Sequence, residues 1–242
     1  MTLFRIKVYF DVVCAWVSLW LFQDTYLAEQ LSYPQCYISH RSLFQAIALF
    51  QKTYPGASED ELDLAWIPFY RDRSLPAHGV PLEARLVSAF GTERADNEIS
   101  RVQRIGRAHG INFNFKGLIG HTRDCHRVIQ FIGSEYGADK QKDLLERIYL
   151  EWFEVGGDIT SHSFLVDCAA AVGVERETTS KCLANGAFAE HVDQLDEKAR
   201  EDGVTSIPTI LVNDTKIEGA EDVSTFYEAF VGAKDREVHR DA

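Results

Sequence analysis

The chain is predicted to be α/β, with strands near its two ends enclosing a long run of helices. Three observations predict this class. Ile6, Val8 and Phe10 alternate with Lys7, Tyr9 and Asp11 at the two-residue period of a half-buried strand. Far downstream, Pro208 opens the run Thr209-Ile210-Leu211-Val212, and Asn213-Asp214 supplies a turn before Lys216-Ile217-Glu218, the pattern of a hairpin. Between these pieces apolar residues recur at helical spacing, punctuated by glycines.

The first strand runs into Asp11-Val12-Val13-Cys14-Ala15-Trp16. A cysteine just after a strand sits where a helix is expected to start, and there unpaired N–H groups and the helix dipole favour thiolate over thiol. Cys14 is therefore a candidate nucleophile. In the middle of the chain Leu82, Leu86, Val87 and Phe90 share one helix face, as do Val128, Ile129 and Ile132, then Leu144, Leu145, Ile148 and Phe153. Breaks fall at Gly91-Thr92, Gly110, Gly137 and Gly156-Gly157. Thr160 or Ser161 can cap the helix that carries Phe164 and Leu165, and Gly173 can end it. The last helix is expected to begin near Ala220-Glu221, with residues 233–242 a charged, frayed tail.

With 242 residues and 45% hydrophobic content, the chain suffices for one compact body with an insertion. A net charge of −12, with no basic stripe, argues against a nucleic-acid surface. No long apolar segment or leader pattern is seen, so the expectation is a soluble cytoplasmic protein without membrane partners. Five cysteines without regular spacing suit a reducing compartment. Cys168 and Cys182 lie among apolar residues and read as small buried hydrophobes. His121, Cys125 and His126 are close in sequence, but no metal-ligand spacing accompanies them, and no metal is expected.

Taken together, several ordered segments resemble the DsbA-like thioredoxin proteins, in particular the cytoplasmic FrnE-type subgroup, whose motif reads Asp-Val-Val-Cys-Pro-Trp-Cys-Tyr-Ile-Gly. Related proteins are 2-hydroxychromene-2-carboxylate isomerase and the kappa-class glutathione transferases. Trp66-Ile67-Pro68-Phe69 resembles the end of the second strand, and His78-Gly79-Val80-Pro81-Leu82 the entry to the inserted domain. His121-Thr122-Arg123-Asp124-Cys125-His126-Arg127 is similar to the family's Asn-Thr-x-x-Ala-His-Arg, and Phe153 to Ile159 to its Phe-x-x-Gly-x-Asp-Ile turn. The resemblance implies a thioredoxin fold with a large all-helical domain inserted between the second strand and the cis-proline strand. Its parts would be residues 1–78 and 203–232 for the thioredoxin fold and 79–202 for the insertion. It also implies a cis Pro208 facing the redox motif, with the backbone of Ile207 offered to an extended substrate and His126 packed near the redox face.

The redox motif departs from the family pattern. Its second cysteine is displaced by the 19 residues Val17 to Gln35; removing them joins Trp16 to Cys36 and restores Cys14-Ala15-Trp16-Cys36. Two readings stay open. The block is a retained intron of 57 nucleotides translated in frame, since valine codons begin with the donor GT and a glutamine codon can be the acceptor CAG; or it is a genuine insertion that splits the dithiol. In the first case Cys14 attacks, Cys36 resolves, and Ala15 and Trp16 tune the pair while meeting the substrate. No cofactor is then needed. In the second, Cys14 works as a single thiol and glutathione becomes the co-substrate, as in a kappa-type transferase or isomerase. A redox-inactive binding or chaperone-like protein is the remaining class, if the block buries Cys14. Alanine stands where the family has proline, which places the usual redox potential in question.

Overall fold

The computed structural model describes residues 1–13 and 35–240, with side chains through residue 237. Cys14, Ala15, Trp16 and the block up to residue 34 lie outside the described residues. Four strands form the main sheet: β1 (Leu3–Phe10), β2 (Glu61–Pro68), β5 (Thr209–Val212) and β6 (Thr215–Glu218). Their order is β2-β1-β5-β6. β1 and β2 are parallel, with Ile6 opposite Leu64, and β5 runs antiparallel to β1, with Ile6 opposite Val212. A parallel pair needs a long crossover. Helix α1 (Gln35–Thr53) lies within it.

The alternation read from β1 holds as far as Lys7, with Phe4, Ile6, Val8 and Phe10 buried and Leu3, Arg5 and Lys7 exposed. Tyr9 and Asp11, read as outward residues, are buried as well because the end of the strand is covered on both faces. The buried face meets α1 and the C-terminal helix α9 (Val223–Arg240) in a triangle of aromatic rings. Phe4 lies 5.6 Å from Phe50 and 5.4 Å from Phe230, and Phe50 stacks on Phe230 at 5.5 Å. Each such ring removes a large apolar area from water, and the pairing geometry adds to it.

Among the described residues seven α-helices lie between β2 and β5. They are α2 (Leu82–Phe90), α3 (Thr92–Ala108), α4 (Arg123–Tyr136), α5 (Ala138–Leu150), α6 (His162–Ala171), α7 (Arg176–Ala184) and α8 (Ala189–Glu201). Gly91 and Gly137 take positive φ between helices, and the Ser161 side chain caps α6 by accepting from the Phe164 N–H. The predicted apolar faces are the buried ones, including Leu82, Leu86, Val128, Ile129, Ile132, Leu144, Leu145, Ile148 and Phe153. The insertion is not wholly helical. A two-residue ladder pairs β3 (Val80–Pro81) with β4 (Leu118–Ile119), drawing the entry to α2 against the segment before α4. Among the described residues no helix is long and apolar enough to cross a membrane.

At the C-terminus the structure corrects the expectation of a frayed tail. α9 starts at Val223, because the Asp222 carboxylate accepts from the Thr225 N–H at 2.9 Å, and it continues to Arg240. Ala233 is buried. Lys234 is held by Asp60 and donates to the Gly56 carbonyl at 3.0 Å, its stem covered and its ammonium paired.

Candidate functional site

The C-terminal end of β1, the first turn of α1 and the loop before β5 define one region. Past Phe10, Asp11, Val12 and Val13 are all buried. α1 opens with Gln35 and Cys36, so Cys36 sits in the first turn, 3% exposed, with no acidic residue there to oppose a thiolate.

The proline loop reaches the same turn. The Ile207-Pro208 bond is cis, as the resemblance implies. Ser39 on α1 donates to the Gly219 carbonyl at 3.0 Å, and the Gly219 N–H donates to the Pro208 carbonyl at 2.8 Å. Two hydrogen bonds thus connect the helix bearing Cys36 to the peptide bearing Pro208. Ile207 is 4% exposed, its side chain packed in the core.

His126 meets the chain just past the end of β1. It is fully buried on α4, and its Nε2 lies 3.2 Å from an Asp11 carboxylate oxygen, three residues before Cys14 in sequence. The second Asp11 oxygen accepts from the Arg71 N–H at 2.8 Å. Burial would raise the Asp11 pKa, but His126, the Arg71 N–H and Thr122 outweigh it, and the carboxyl titrates below its ordinary value. Phe10 and Tyr70 flank the imidazole, at 4.9 and 5.8 Å between ring centroids. Under this cover the His126 ring is enclosed, with Asp11 as its polar partner.

Sequence reasoning passed over the residues that surround Cys36. Tyr37 donates to a Glu154 carboxylate oxygen at 2.7 Å and stacks on Tyr149 and Phe153 at 4.9 and 5.6 Å. Burial and Glu154 together push its pKa up to about 12. One helical turn beyond Cys36, His40 is 2% exposed and faces Glu146 of α5 at 3.2 Å. The available signal was the i, i+4 spacing of Cys36 and His40.

The three cysteines of the insertion behave differently from a nucleophile. Cys125, Cys168 and Cys182 are buried, and burial raises each pKa, that of Cys168 to about 12. His121 accepts from the Arg123 N–H through Nδ1 while His126 turns to Asp11. Among the described residues no group of three or more His, Cys, Asp or Glu is placed to hold a metal.

Comparison with solved structures places the whole architecture. A structure from Streptomyces coelicolor described as a probable DsbA oxidoreductase superposes with a TM-score of 0.76 at 20% identity, covering 96% of this chain and 90% of that one. The cytosolic disulfide reductase DsbM from Pseudomonas aeruginosa, solved with GSH, gives 0.56 at 12% identity, covering 98% of this chain and 100% of that one. A 2-hydroxychromene-2-carboxylate isomerase gives 0.56 at 17% identity, with coverage of 98% and 99%. At these identities the likeness is one of fold. No curated protein sequence gives a significant match. The model of the DSBA-like thioredoxin domain, however, matches residues 5–231, from inside β1 to inside α9. The sheet and its helical insertion both fall within that span, and the chain belongs to the DSBA-like thioredoxin family.

Proposed function

We propose that this protein is a cytoplasmic thiol–disulfide oxidoreductase of the FrnE type, acting through Cys14, with Cys36 as the resolving thiol when the block Val17 to Gln35 is absent. One observation carries the reading: Cys36 lies on α1, the helix that the cis-proline loop reaches through Ser39 and Gly219, and excising the block sets it three positions after Cys14, as the motif requires. The buried first-turn position of Cys36 suits a thiol that waits for a mixed disulfide rather than one that meets substrate first. The cis proline, linked through Gly219 to the Ser39 hydroxyl of the helix that carries Cys36, supports the pairing of an extended thiol or disulfide substrate with the Ile207 backbone.

A second reading is favoured by the spacing in the chain as written. With Cys36 22 positions beyond Cys14, a single-thiol route would use glutathione to release the product, in a kappa-type transferase or isomerase reaction. The DsbM structure solved with GSH supports that chemistry on this fold.

Mass spectrometry of thiol-blocked natural protein across Arg5 to Arg41 separates the two. A peptide joining Trp16 to Cys36 is expected under the first reading. It should be accompanied by disulfide-exchange activity that Cys14→Ser abolishes and that Cys36→Ser stalls as a trapped mixed disulfide. A peptide retaining the block, with turnover that needs only Cys14 and saturates with glutathione, establishes the second. Exchange unaffected by Cys14→Ser removes both.

A further inference from the structure

We propose that His40 is the proton acceptor for the Cys36 thiol and that Glu146 is the positioning residue that holds and charges His40, forming a Cys36–His40–Glu146 relay between α1 and α5. The proposal rests on the thiol–disulfide reading for its purpose, but its geometry is independent of Cys14.

The argument begins with the helix. Cys36 and His40 are four residues apart on α1, so they share a face with Cβ atoms about 5–6 Å apart. Helical side chains lean toward the N-terminus, which carries the His40 ring back over the turn that bears Cys36. Both residues are buried, at 3% and 2% exposure. His40 Nε2 faces a Glu146 carboxylate oxygen at 3.2 Å; a carboxylate only accepts, so Nε2 carries the hydrogen and Nδ1 keeps its lone pair. That Nδ1 atom is buried and has no hydrogen-bond partner. A buried acceptor left open is a costly feature unless a proton arrives there, and for His40 the thiol four residues back on the same helix is the group that can supply one.

The surroundings fix the ring. Phe44, Trp66 and Tyr149 contact it at 4.8, 5.4 and 5.6 Å between centroids. The charged groups around it are Glu146 and Lys142 of α5 and Arg41 of its own helix, with Tyr149 the other titratable neighbour. Burial, more than the attraction of Glu146, sets its pKa below the ordinary value, so the ring is neutral near pH 7 and able to accept. The His40 hydrogen bond, together with Lys142, lowers Glu146 to about 2, so the carboxylate remains charged opposite the imidazolium.

In the step served, a substrate disulfide has already left Cys14 joined to a substrate thiol, Cys14–S–S–R. The Cys36 S–H bond breaks, its proton passes to Nδ1, and the thiolate attacks the Cys14 sulfur. The Cys14–Cys36 disulfide forms as the S–S bond between Cys14 and the substrate sulfur breaks, and the departing RS⁻ takes up the proton that His40 held. Cys36 and Cys14 end oxidised, the substrate sulfur ends reduced, and His40 is restored.

The test reads Cys36 directly, in the full-length Cys14→Ser protein, by the pH dependence of iodoacetamide labelling mapped to the Cys36 peptide. His40→Gln should slow labelling near pH 7 about tenfold and move its inflection upward. Glu146→Gln keeps an acceptor for Nε2–H but removes the charge, and it should give a shift of the same sign and smaller size. Because Glu146 is half-exposed, that variant retains the fold even where His40→Gln does not. An unchanged Cys36 profile in folded Glu146→Gln and His40→Gln overturns the proposal. So does an unchanged profile in Glu146→Gln alone, should His40→Gln not fold. A shifted profile in a protein that shows no disulfide exchange supports the relay while removing the oxidoreductase reading.

Discussion

Two buried histidines join the thioredoxin sheet layer to the helical insertion, and they do so with opposite degrees of closure. His126 on α4 meets Asp11 at the end of β1, with side chains 0% and 1% exposed; His40 on α1 meets Glu146 on α5, with side chains 1% and 44% exposed. Both contacts are 3.2 Å, and both leave Nδ1 buried without a partner. The difference lies in the carboxylate. Asp11 cannot exchange its protein partners for water, so its pair is a fixed joint at the end of β1. Glu146 can, so its pair can gain and lose a proton at modest cost. A buried histidine–carboxylate contact thus serves position or chemistry according to whether one partner keeps access to solvent.

The sharpest way to break this comparison is to remove Asp11. Asp11→Ala strands the Arg71 N–H and His126 in a dry interior, and the expected loss is about 3–5 kcal/mol by denaturant unfolding. An effect comparable to that of a surface carboxylate would show that the joint is not closed. Next in size is His126→Phe, which preserves ring packing against Phe10 and Tyr70 but removes the donor to Asp11. About 2–3 kcal/mol is expected, since a hydrogen bond to a charged group is lost and part of a carboxylate is left unsatisfied.

These joints also show what could be read along the chain and what could not. The hairpin at Asn213, the glycine breaks at Gly91 and Gly137, the Ser161 cap and the apolar faces of α2, α4 and α5 are local, each set by a few neighbouring residues, and each appears where the sequence places it. The family pattern likewise singled out His126, which the structure sets beside Asp11 past the end of β1. What remained hidden depends on distant partners. Asp11 lies 115 positions from His126, His40 lies 106 from Glu146, and Lys234 lies 174 from Asp60. Without those partners His40 is one polar residue on an apolar helix face and Lys234 one more charge near a terminus. No periodicity reports that a carboxylate waits for either.

A third prediction follows from acid titration. For Asp11 the folded-state pKa is below the ordinary 3.8, so the unfolded chain binds the proton first and stability falls as pH drops below that value. Glu146 contributes in the same direction between 4.5 and about 2. His40 begins earlier: its folded pKa lies below 6.5, so the unfolded state takes up a proton first and stability declines as pH falls from there. Unfolding free energy measured against pH should therefore decline in two stages, and His40→Gln should flatten the upper stage while leaving the lower one in place. A single decline confined below pH 4 would assign no titration to His40.

The smallest expected effect on stability distinguishes the two pairs best. Glu146→Gln should change unfolding free energy by less than about 1 kcal/mol, because the carboxylate is half in water and glutamine still accepts from His40 Nε2. Its influence should instead fall on Cys36, whose thiolate shares a helix face with the imidazole that the carboxylate charges. Asp11 reverses this order, with a large loss of stability and no path to Cys36 along α1. If Glu146→Gln proved as destabilising as Asp11→Ala, both histidines would be joints, and the exposure of the carboxylate would have no bearing on their roles.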